Sequence, residues 1–433
     1  MYAGAVAPAL ILGGAAGVDT VGMGVLVSGA LIMAGIATLI QTLGHRTIGA
    51  QMPIVVAASF VPVGAMTGIA ADAGLPAVFG ASLAGGVFAL CLTPFFGQLV
   101  RFFPPVVTGT IITVIGLSLM PVAVGWIIDG NTAIVSGEET PVPAMGDLAL
   151  AAVTLALVLL FSRVLPGIFG RTAVLLGILG GTLVAAALGR VDFSRVGEGT
   201  VFSPGSPFHF GPPEFQMAAI LTMCVIMLVV LTEGVSDLIA AGEVTGIRLD
   251  AKRIAAGLRA DVSASLIGPI FNATPGSSFT QNIGLLALTG IRSRYVVAAG
   301  GGILLTLGLF PVLGRVVAAI PMPVLGGAGL VLFGTVAASG IRALGRVDYS
   351  DSLNLIIVAT SLGFGLIPLA APGFYEGFPP TIALVLHSGI VAAALSAIVL
   401  NLCFHIIGGR RRATRPPGDE ARDGTAAQPS RTA

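Results

Sequence analysis

The sequence predicts an all-α polytopic membrane protein, and three features of its composition support this fold class. Of the 433 residues, 55% are hydrophobic and only 9% are charged, whereas about a quarter of the residues in a soluble domain are charged. The mean hydropathy is +1.00. Because so few charges cannot cover a water-exposed surface of this size, lipid must be the solvent for most of the chain. The 61 glycines and 27 prolines are typical of membrane helices that pack closely and contain breaks.

Apolar segments recur along the chain at the length that a membrane span requires. A helix needs about 20 mainly apolar residues to cross a bilayer, and fourteen segments meet this requirement. Of the 21 Lys and Arg residues, seventeen then fall on the side of both termini, whereas Arg190, Arg195 and Arg315 fall in loops on the other side. This asymmetry predicts a multi-pass protein of the cell membrane with both termini in the cytoplasm. The spans are centred near Leu10, Met33, Val61, Gly86, Val114, Leu155, Leu179, Met227, Leu266, Leu285, Leu305, Leu330, Ile357 and Ala393.

The two ends of the chain carry different signals. Residues 409–433 are polar, rich in Pro and Gly, and basic at their start, which predicts a disordered cytoplasmic tail after a membrane domain at 1–408. Met1 leads directly into an apolar segment without the basic residues that begin a signal peptide. We therefore expect a clipped or misassigned start.

Two spans interrupted by glycine and proline carry the same dipeptide. Ser59-Phe60 and Ser278-Phe279 lie 219 residues apart, about half the chain. Corresponding broken spans in two halves of a membrane carrier are the best sequence indication of a substrate site, because they leave backbone groups free at mid-membrane. Seven spans in each half would make the two repeats inverted. A two-residue match between glycine-rich segments can also arise by chance.

Three carboxylic acids, Glu233, Asp237 and Asp261, fall within predicted spans. Each costs about 2.5–3.5 kcal/mol at mid-membrane, so each is a candidate functional residue. Glu233 and Asp237 are four residues apart and share a helix face. Two close carboxylates in a low dielectric cannot both ionise cheaply, which suits a proton-coupled site. The alternatives are that Asp237 caps or pairs locally and that Asp261 forms an ion pair with Arg259.

Two amide side chains, Gln281 and Asn282, follow the break at Pro275-Gly276. An amide offers both a donor and an acceptor, which suits the edge of a planar heterocycle better than a simple ion. Helix capping by Asn282 is an equally good interpretation of the spacing alone.

The run QNIGLLALTG, from Gln281 to Gly290, resembles the signature of the nucleobase-ascorbate transporters, also called the second nucleobase:cation symporter family. That signature is Gln or Glu, Asn, any residue, Gly, four variable residues and Thr. Two other segments resemble the same family, one from Phe102 to Trp126 and TEGVSDLIAAGEVTG at 232–246. Because the likeness extends over nearly the whole chain, the chain is identified as a member of this family.

The resemblance implies an architecture of fourteen spans in two inverted repeats of seven, in which spans 3 and 10 begin as short extended strands. A core domain at about 1–100 and 215–316 would move against a gate domain at about 105–190 and 318–407. Related carriers are often homodimers, so a homodimer is expected.

The resemblance also implies residue roles. By motif position, Glu233 would bind the ring N–H of a nucleobase and Gln281 would bind its opposite polar edge. The segments around Phe60 and Phe279 would line the ring or stack on it, and Ser59, Thr280 and Asn282 complete the expected substrate-binding set. Asp261 matches an acid that family members need for transport, so proton coupling is expected of Glu233, Asp261 and Asp237.

Two positions bear on the substrate. Uracil carriers of the family tend to have Glu at the first motif position and His four residues after the acid of span 8, whereas this chain has Gln281 and Asp237. This combination is similar to the xanthine and urate carriers. Ile283 departs from the Asn of several purine carriers, and the Gln-His pair of span 1 would precede Met1.

The sequence therefore predicts a proton-coupled symporter that imports a purine base, xanthine or urate, with no cofactor, no metal and no nucleic-acid partner. A uracil permease is the alternative within the family. An anion carrier of the sulfate type shares the architecture but would want a positive site, against which Glu233 and Asp237 argue. An inactive or receptor-like relative stays open. An intramembrane enzyme is disfavoured because the sequence has no metal motif, nucleophile elbow or phosphate loop.

Overall fold

A computed structural model describes residues 2–96, 104–128, 130–135, 138–166, 170, 172–191, 196, 201–203, 205–279, 282, 286, 292–378, 386 and 389–407. The predicted disordered tail at 409–433 lies outside these residues, as do the predicted site residues Thr280 and Gln281. The described chain is mainly helical, in agreement with the predicted fold class.

Seven helical segments in the described part of the chain are long and apolar enough to cross a membrane, or eight if one bent pair counts as a single span. That pair, Arg294–Gly308 with Pro311–Val317, bends by 84°. Three shorter apolar helices lie at Ala5–Ala15, Ala173–Ala187 and Gly389–His405. These segments make the chain a multi-pass membrane protein.

The described residues form helices and short strands in the following chain order. Their bounds are α1 Tyr2–Ala15, α2 Thr20–Leu43, β1 Val56–Ala58, α3 Val63–Leu92, α4 Pro105–Ser118, α5 Met120–Ile128, β2 Thr132–Val135, β3 Glu138–Pro141, α6 Met145–Val164, α7 Ala173–Ala187, α8 Met217–Thr245, α9 Ala251–Ile270, β4 Gly276–Ser278, α10 Arg294–Gly308, α11 Pro311–Ala318, α12 Met322–Leu344, α13 Ser352–Ala370 and α14 Gly389–Asn401. A short 3₁₀-helix, Pro372–Tyr375, follows α13, and a short π-helix, Leu402–Ile407, extends α14.

The helices pack mainly within two sets. Helices α1, α2, α3, α8, α9, α10 and α11 pack on one another and enclose β1 and β4, whereas α4, α5, α6, α7, α12, α13 and α14 pack among themselves. Glycine allows the closest approaches. A Cβ atom on Gly35 of α2 would lie 2.6 Å from the backbone nitrogen of Leu305 in α10, so only a glycine fits there.

Strands β1 and β4 form an antiparallel pair in which Val56, Ala57 and Ala58 lie opposite Ser278, Ser277 and Gly276. The backbone of Ser59 donates to the carbonyl of Pro275 at 2.9 Å, and that of Phe279 donates to the carbonyl of Val55 at 2.9 Å, which extends the pairing at both ends. Extended chain is thus present at both breaks, as the family resemblance implies for spans 3 and 10. A second pair, β2 with β3, is a local hairpin.

A break at Gly74 lies between the two spans predicted near Val61 and Gly86. Helix α3 runs from Val63 to Leu92 but turns at Gly74, whose φ of 80° is left-handed, and Pro76 follows inside the same helix. Glycine tolerates that φ and proline lacks the amide hydrogen that would continue the helix, so the two halves separate there.

Arg315, predicted in a loop, lies instead in α11 with only 2% of its surface exposed. Its Nε donates to the carbonyl of Val196 at 3.0 Å, which shows how a buried guanidinium is accommodated.

Candidate functional site

The candidate site is built around the β1–β4 pair, whose residues are all buried. The preceding helices tie down both strands through hydroxyl groups. Thr38 of α2 accepts from the Val56 amide at 3.0 Å and donates to the Val56 carbonyl at 3.1 Å. Ser265 of α9 donates to the carbonyl of Gly276 at 3.3 Å. These bonds keep the two short strands in register.

Glu233 is half-buried in α8 and faces the strand pair. The hydroxyl of Ser277 donates to Glu233 Oε2 at 3.4 Å, and the hydroxyl of Ser59 also lies near enough to interact with this carboxyl group. The acid therefore contacts both breaks, one serine from each half of the chain. The structure thus brings together Glu233 and Ser59, two of the predicted site residues.

Asp261 of α9, with 3% of its surface exposed, contacts Ser278, which follows Ser277 in β4. Ser278 Oγ lies 3.0 Å from Asp261 Oδ1 and 2.9 Å from Oδ2. Successive residues of a strand point to opposite faces, so β4 connects to Glu233 through Ser277 and to Asp261 through Ser278. The two carboxyl groups are close enough to interact electrostatically.

The alternative that Asp261 forms an ion pair with Arg259 is wrong. The guanidinium of Arg259 donates instead to the carbonyl of Thr47 at 2.8 Å. Gly234 lies directly against the Asp261 carboxyl, since a Cβ atom on this glycine would be 2.8 Å from Asp261 Oδ2. A larger residue beside Glu233 would displace the second acid.

Gln41, a fully buried amide near the end of α2, is not among the residues predicted from the sequence. Its Nε2 donates to Asp261 Oδ1 and to the carbonyl of Gly257, both at 3.2 Å. Its Oε1 accepts from the backbone of Ala50 at 2.8 Å. A glutamine within an otherwise apolar span was the available signal, since buried polar groups need partners.

The segment 44–55, which joins α2 to β1, is hydrogen-bonded to α9 and to Asn282, which follows the second break. Arg253 Nε donates to the carbonyl of Ala50 at 2.7 Å, and the Gly49 amide donates to the carbonyl of Ala256 at 2.8 Å. Asn282 Nδ2 donates to the carbonyl of Pro53 at 2.8 Å. The side chain of Asn282 is therefore engaged in holding this segment, with 2% of its surface exposed.

Aromatic rings adjoin the strand pair. Phe60 and Phe279 are 8% and 7% exposed. The ring of Phe60 meets that of Phe333 in α12 edge-to-face, with centroids 6.1 Å apart, and Phe333 in turn lies 6.0 Å from Trp126 in α5. Phe333 and Trp126 belong to the other helix set, and no local sequence pattern points to them. They form an aromatic contact between the two sets beside the first break.

The remaining predicted site residues are less informative. Asp237 lies one turn beyond Glu233 in α8, with 5% of its surface exposed. Thr280 and Gln281 lie outside the described residues. Within the described chain, no cluster of three His, Cys, Asp or Glu side chains could hold a metal ion. A carboxyl group, two serine hydroxyls and nearby phenyl rings suit a small planar molecule that carries N–H donors.

Comparisons with known proteins identify the family. The family model Xan_ur_permease, described as "Permease family", matches residues 1–374. The chain is 38% identical to "Xanthine permease" of Bacillus subtilis (strain 168) over 412 residues, which are 95% of this chain and 93% of that protein. It is 39% identical to "Uric acid permease PucJ" of the same organism over 407 residues, 94% of this chain and 90% of the relative.

A solved structure supports the fold. The transmembrane domain of a cyanobacterium bicarbonate transporter, BicA, superimposes with a TM-score of 0.59 at 15% sequence identity, over 92% of this chain and 94% of that one. At this identity the likeness concerns the fold alone. With the family model covering most of the sequence and relatives matching along nearly its whole length, the chain belongs to the permease family, as its resemblance to nucleobase-ascorbate transporters predicts, and is a transporter and not an enzyme.

Proposed function

We propose that this chain imports a purine base, xanthine or uric acid, together with a proton. Relatives 38% and 39% identical to it are named as a xanthine permease and a uric acid permease. The observation that carries the proposal is the contact of Glu233 with both breaks, through Ser277 and Ser59. An acid at this junction is an acceptor for ring N–H groups, which purine bases present.

The base would bind between the breaks and α8. Glu233 would accept a hydrogen bond from a ring N–H, and Gln281 would bind the opposite polar edge. Phe60 and Phe279 would contact the faces or rim of the ring, while Ser59, Thr280 and Asn282 would complete the lining. Because the Asn282 amide donates to the carbonyl of Pro53, its role in the lining would be to fix the backbone that precedes β1.

The coupled proton would be carried by the acid pair. Glu233 and Asp261 contact adjacent serines of one strand, so a change of charge on either acid acts on the same backbone. Asp237, one turn from Glu233, would contribute a further carboxyl to the same face of α8. Protonation would permit the base to bind from outside, and release of both would follow on the cytoplasmic side.

The architecture we propose has fourteen spans in two inverted repeats. A shift of 219 residues carries Ala57 onto Gly276 and Ala58 onto Ser277. In the strand pair, Ala57 lies opposite Ser277 and Ala58 lies opposite Gly276. Each residue is thus paired with the repeat equivalent of its neighbour, as a two-fold axis between the strands requires. This agreement supports repeats of opposite orientation.

The two helix sets support a division into a moving core and a static gate. The set that encloses the strand pair falls within about 1–100 and 215–316, and the other set falls within about 105–190 and 318–407. An elevator movement of the first set against the second would carry the loaded site across the membrane. We further propose the cell membrane as the location, cytoplasmic termini, and a homodimer formed through the gate.

Two other functions give different expectations. A uracil permease of the same family would share the site but prefer the smaller ring. An anion carrier would need a positive site, whereas the strand pair is flanked by Glu233 and Asp261. Because two acids repel an anion, the anion carrier is disfavoured.

The experiment that tests the proposal is uptake of radiolabelled xanthine, urate and uracil by cells expressing this chain, with and without a protonophore. Xanthine or urate uptake that the protonophore abolishes is the expected result. Uptake of uracil alone would replace the purine by a pyrimidine. Purine uptake that the protonophore leaves unchanged would remove proton coupling, and uptake of bicarbonate or sulfate instead of any base would remove the proposal altogether.

A further inference from the structure

The side chain of Gln41 has a complete set of hydrogen bonds to two separate parts of the site. Its NH₂ group donates to Asp261 Oδ1 and to the carbonyl of Gly257, and its oxygen accepts from the Ala50 amide. A glutamine has two amide hydrogens and one amide oxygen for such bonds. The fully buried side chain therefore uses each of them, and no side chain without both a donor and an acceptor at this length can replace it.

One of these partners belongs to the proposed coupling acid. Asp261 receives hydrogen bonds from Gln41 and from Ser278, and Ser278 belongs to the strand whose preceding residue contacts Glu233. Bonds to an ionised carboxylate are roughly twice as strong as those between neutral groups. The strength of the bond between Gln41 and Asp261 thus depends on the charge of Asp261.

The other partner belongs to the segment 44–55. The Ala50 amide donates to the side-chain oxygen of Gln41, and the Gln51 amide donates to the backbone carbonyl of Gln41 at 3.0 Å. Gln51 has a φ of 55°, a left-handed conformation that a non-glycine residue keeps only when its surroundings hold it. This segment leads directly into β1, so its position sets the position of the first break.

We infer that Gln41 is a positioning residue for transport, which orients the Asp261 carboxyl toward Ser278 and transmits the charge state of that carboxyl to the segment 44–55 and β1. This inference rests on the proposed function, in which Asp261 takes part in proton coupling. Among the charged groups of the neighbouring helices, Glu233 of α8 interacts electrostatically with Asp261, whereas Arg253 and Arg259 of α9 donate to carbonyls of the segment 44–55. Gln41 is the described side chain that joins this acid to that segment.

The first test compares three variants with the wild type. Gln41→Met keeps the length but removes the hydrogen bonds, and Gln41→Glu keeps the shape but replaces the donor group. Thr42→Val is the matched control, because the buried Thr42 hydroxyl bonds only carbonyls of its own helix, those of Thr38 and Leu39. Initial uptake rates of the transported base are measured from pH 5 to pH 8 and divided by the amount of protein in the membrane.

We expect Gln41→Met to lower the maximal uptake rate by at least about tenfold, with a much smaller change in the half-saturating concentration, because a bond to a charged group is lost away from the base. Gln41→Glu is expected to recover relative to wild type as the pH falls, since a protonated glutamic acid can donate to Asp261 Oδ1. Thr42→Val should transport as wild type does. A wild-type rate and pH profile for Gln41→Met would overturn the inference, as would an equal loss in Thr42→Val.

The second test does not need transport. Thermal unfolding midpoints of the purified wild type, Gln41→Met, Asp261→Asn and the double variant form a double-mutant cycle. We expect Asp261→Asn to shift the midpoint by a different amount once Gln41 is replaced, and additive shifts would overturn the inference. If Gln41→Met does not fold, Gln41→Glu takes its place in the cycle. If the wild type transports no base, the proposed function fails, while the cycle still shows whether Gln41 and Asp261 are coupled.

Discussion

The hydroxyl oxygen of Ser278 lies within hydrogen-bond distance of both carboxyl oxygens of Asp261, 3.0 Å from Oδ1 and 2.9 Å from Oδ2. The hydroxyl has a single hydrogen, so it can donate to only one of these oxygens at a time. Its neighbour Ser277 donates to Glu233. Two acids on different helices are therefore connected through two adjacent residues of one strand, and the predictions for Glu233 and Ser278 depend on this connection.

Glu233→Gln should abolish proton-dependent uptake while leaving the protein folded. The amide has nearly the same shape as the acid, but it cannot ionise, and its NH₂ group would face the ring N–H of a base. We expect the uptake rate to fall by at least about a hundredfold, as when a charged hydrogen-bond partner is lost from a buried site. Full protonophore-sensitive uptake by this variant would contradict the proposed scheme. The control is Glu214→Gln, since Glu214 is exposed and lies in the connection before α8.

Ser278→Ala should slow transport and have less effect on base affinity. The change removes the hydroxyl between Asp261 and β4 and leaves the backbone pairing with Val56 in place. A hydrogen bond to a charged group is worth about 1.5–3 kcal/mol, so we expect the rate to fall about 10- to 100-fold. Ser263→Ala provides the comparison, because the Ser263 hydroxyl bonds only the carbonyl of Ala260 in its own helix. Equal rates in the two variants would show that Ser278 has no special role.

Three consecutive glycines in α10 give a graded test of helix packing. A Cβ atom on Gly301 would lie 2.9 Å from Cγ2 of Thr38, the residue that anchors β1, whereas nothing lies within 4 Å of a Cβ on Gly300 or Gly302. Gly301→Ala should therefore destabilise the protein by about 1–3 kcal/mol through overpacking. Gly300→Ala and Gly302→Ala should be neutral or stabilising by up to about 1 kcal/mol, because alanine favours a helix. Thermal unfolding in detergent measures all three, and similar midpoints would be inconsistent with this packing.

Phe333→Ala should weaken the contact between the two helix sets. The ring of Phe333 is fully buried between Phe60 and Trp126, and truncation of such a ring costs about 3–5 kcal/mol of stability. Phe364→Ala, at a phenylalanine that is 46% exposed on α13, should change stability far less. The comparison is made by thermal unfolding and by the half-saturating concentration for uptake. A smaller loss in Phe333→Ala than in Phe364→Ala would refute the packing argument.

The sequence by itself determined the membrane class, the family, the position of the breaks and the identity of the acids. Each of these depends on local information. Composition decides which solvent the chain requires, and a few residues around Ser59 and Ser278 are enough to interrupt a span. The motif that begins at Gln281 needs only a short run of residues to be recognised.

Only the tertiary structure decided which groups these acids contact. Ser278 and Gln41 meet at Asp261 although the amide and the acid are 220 residues apart along the chain, and Phe333 reaches Phe60 from the other helix set. Arg315 is buried within a helix where the charge pattern predicts a loop. Local periodicity carries no information on which distant segments will share an interior. That choice depends on packing and on satisfying every buried polar group at once, and these are properties of the folded chain as a whole.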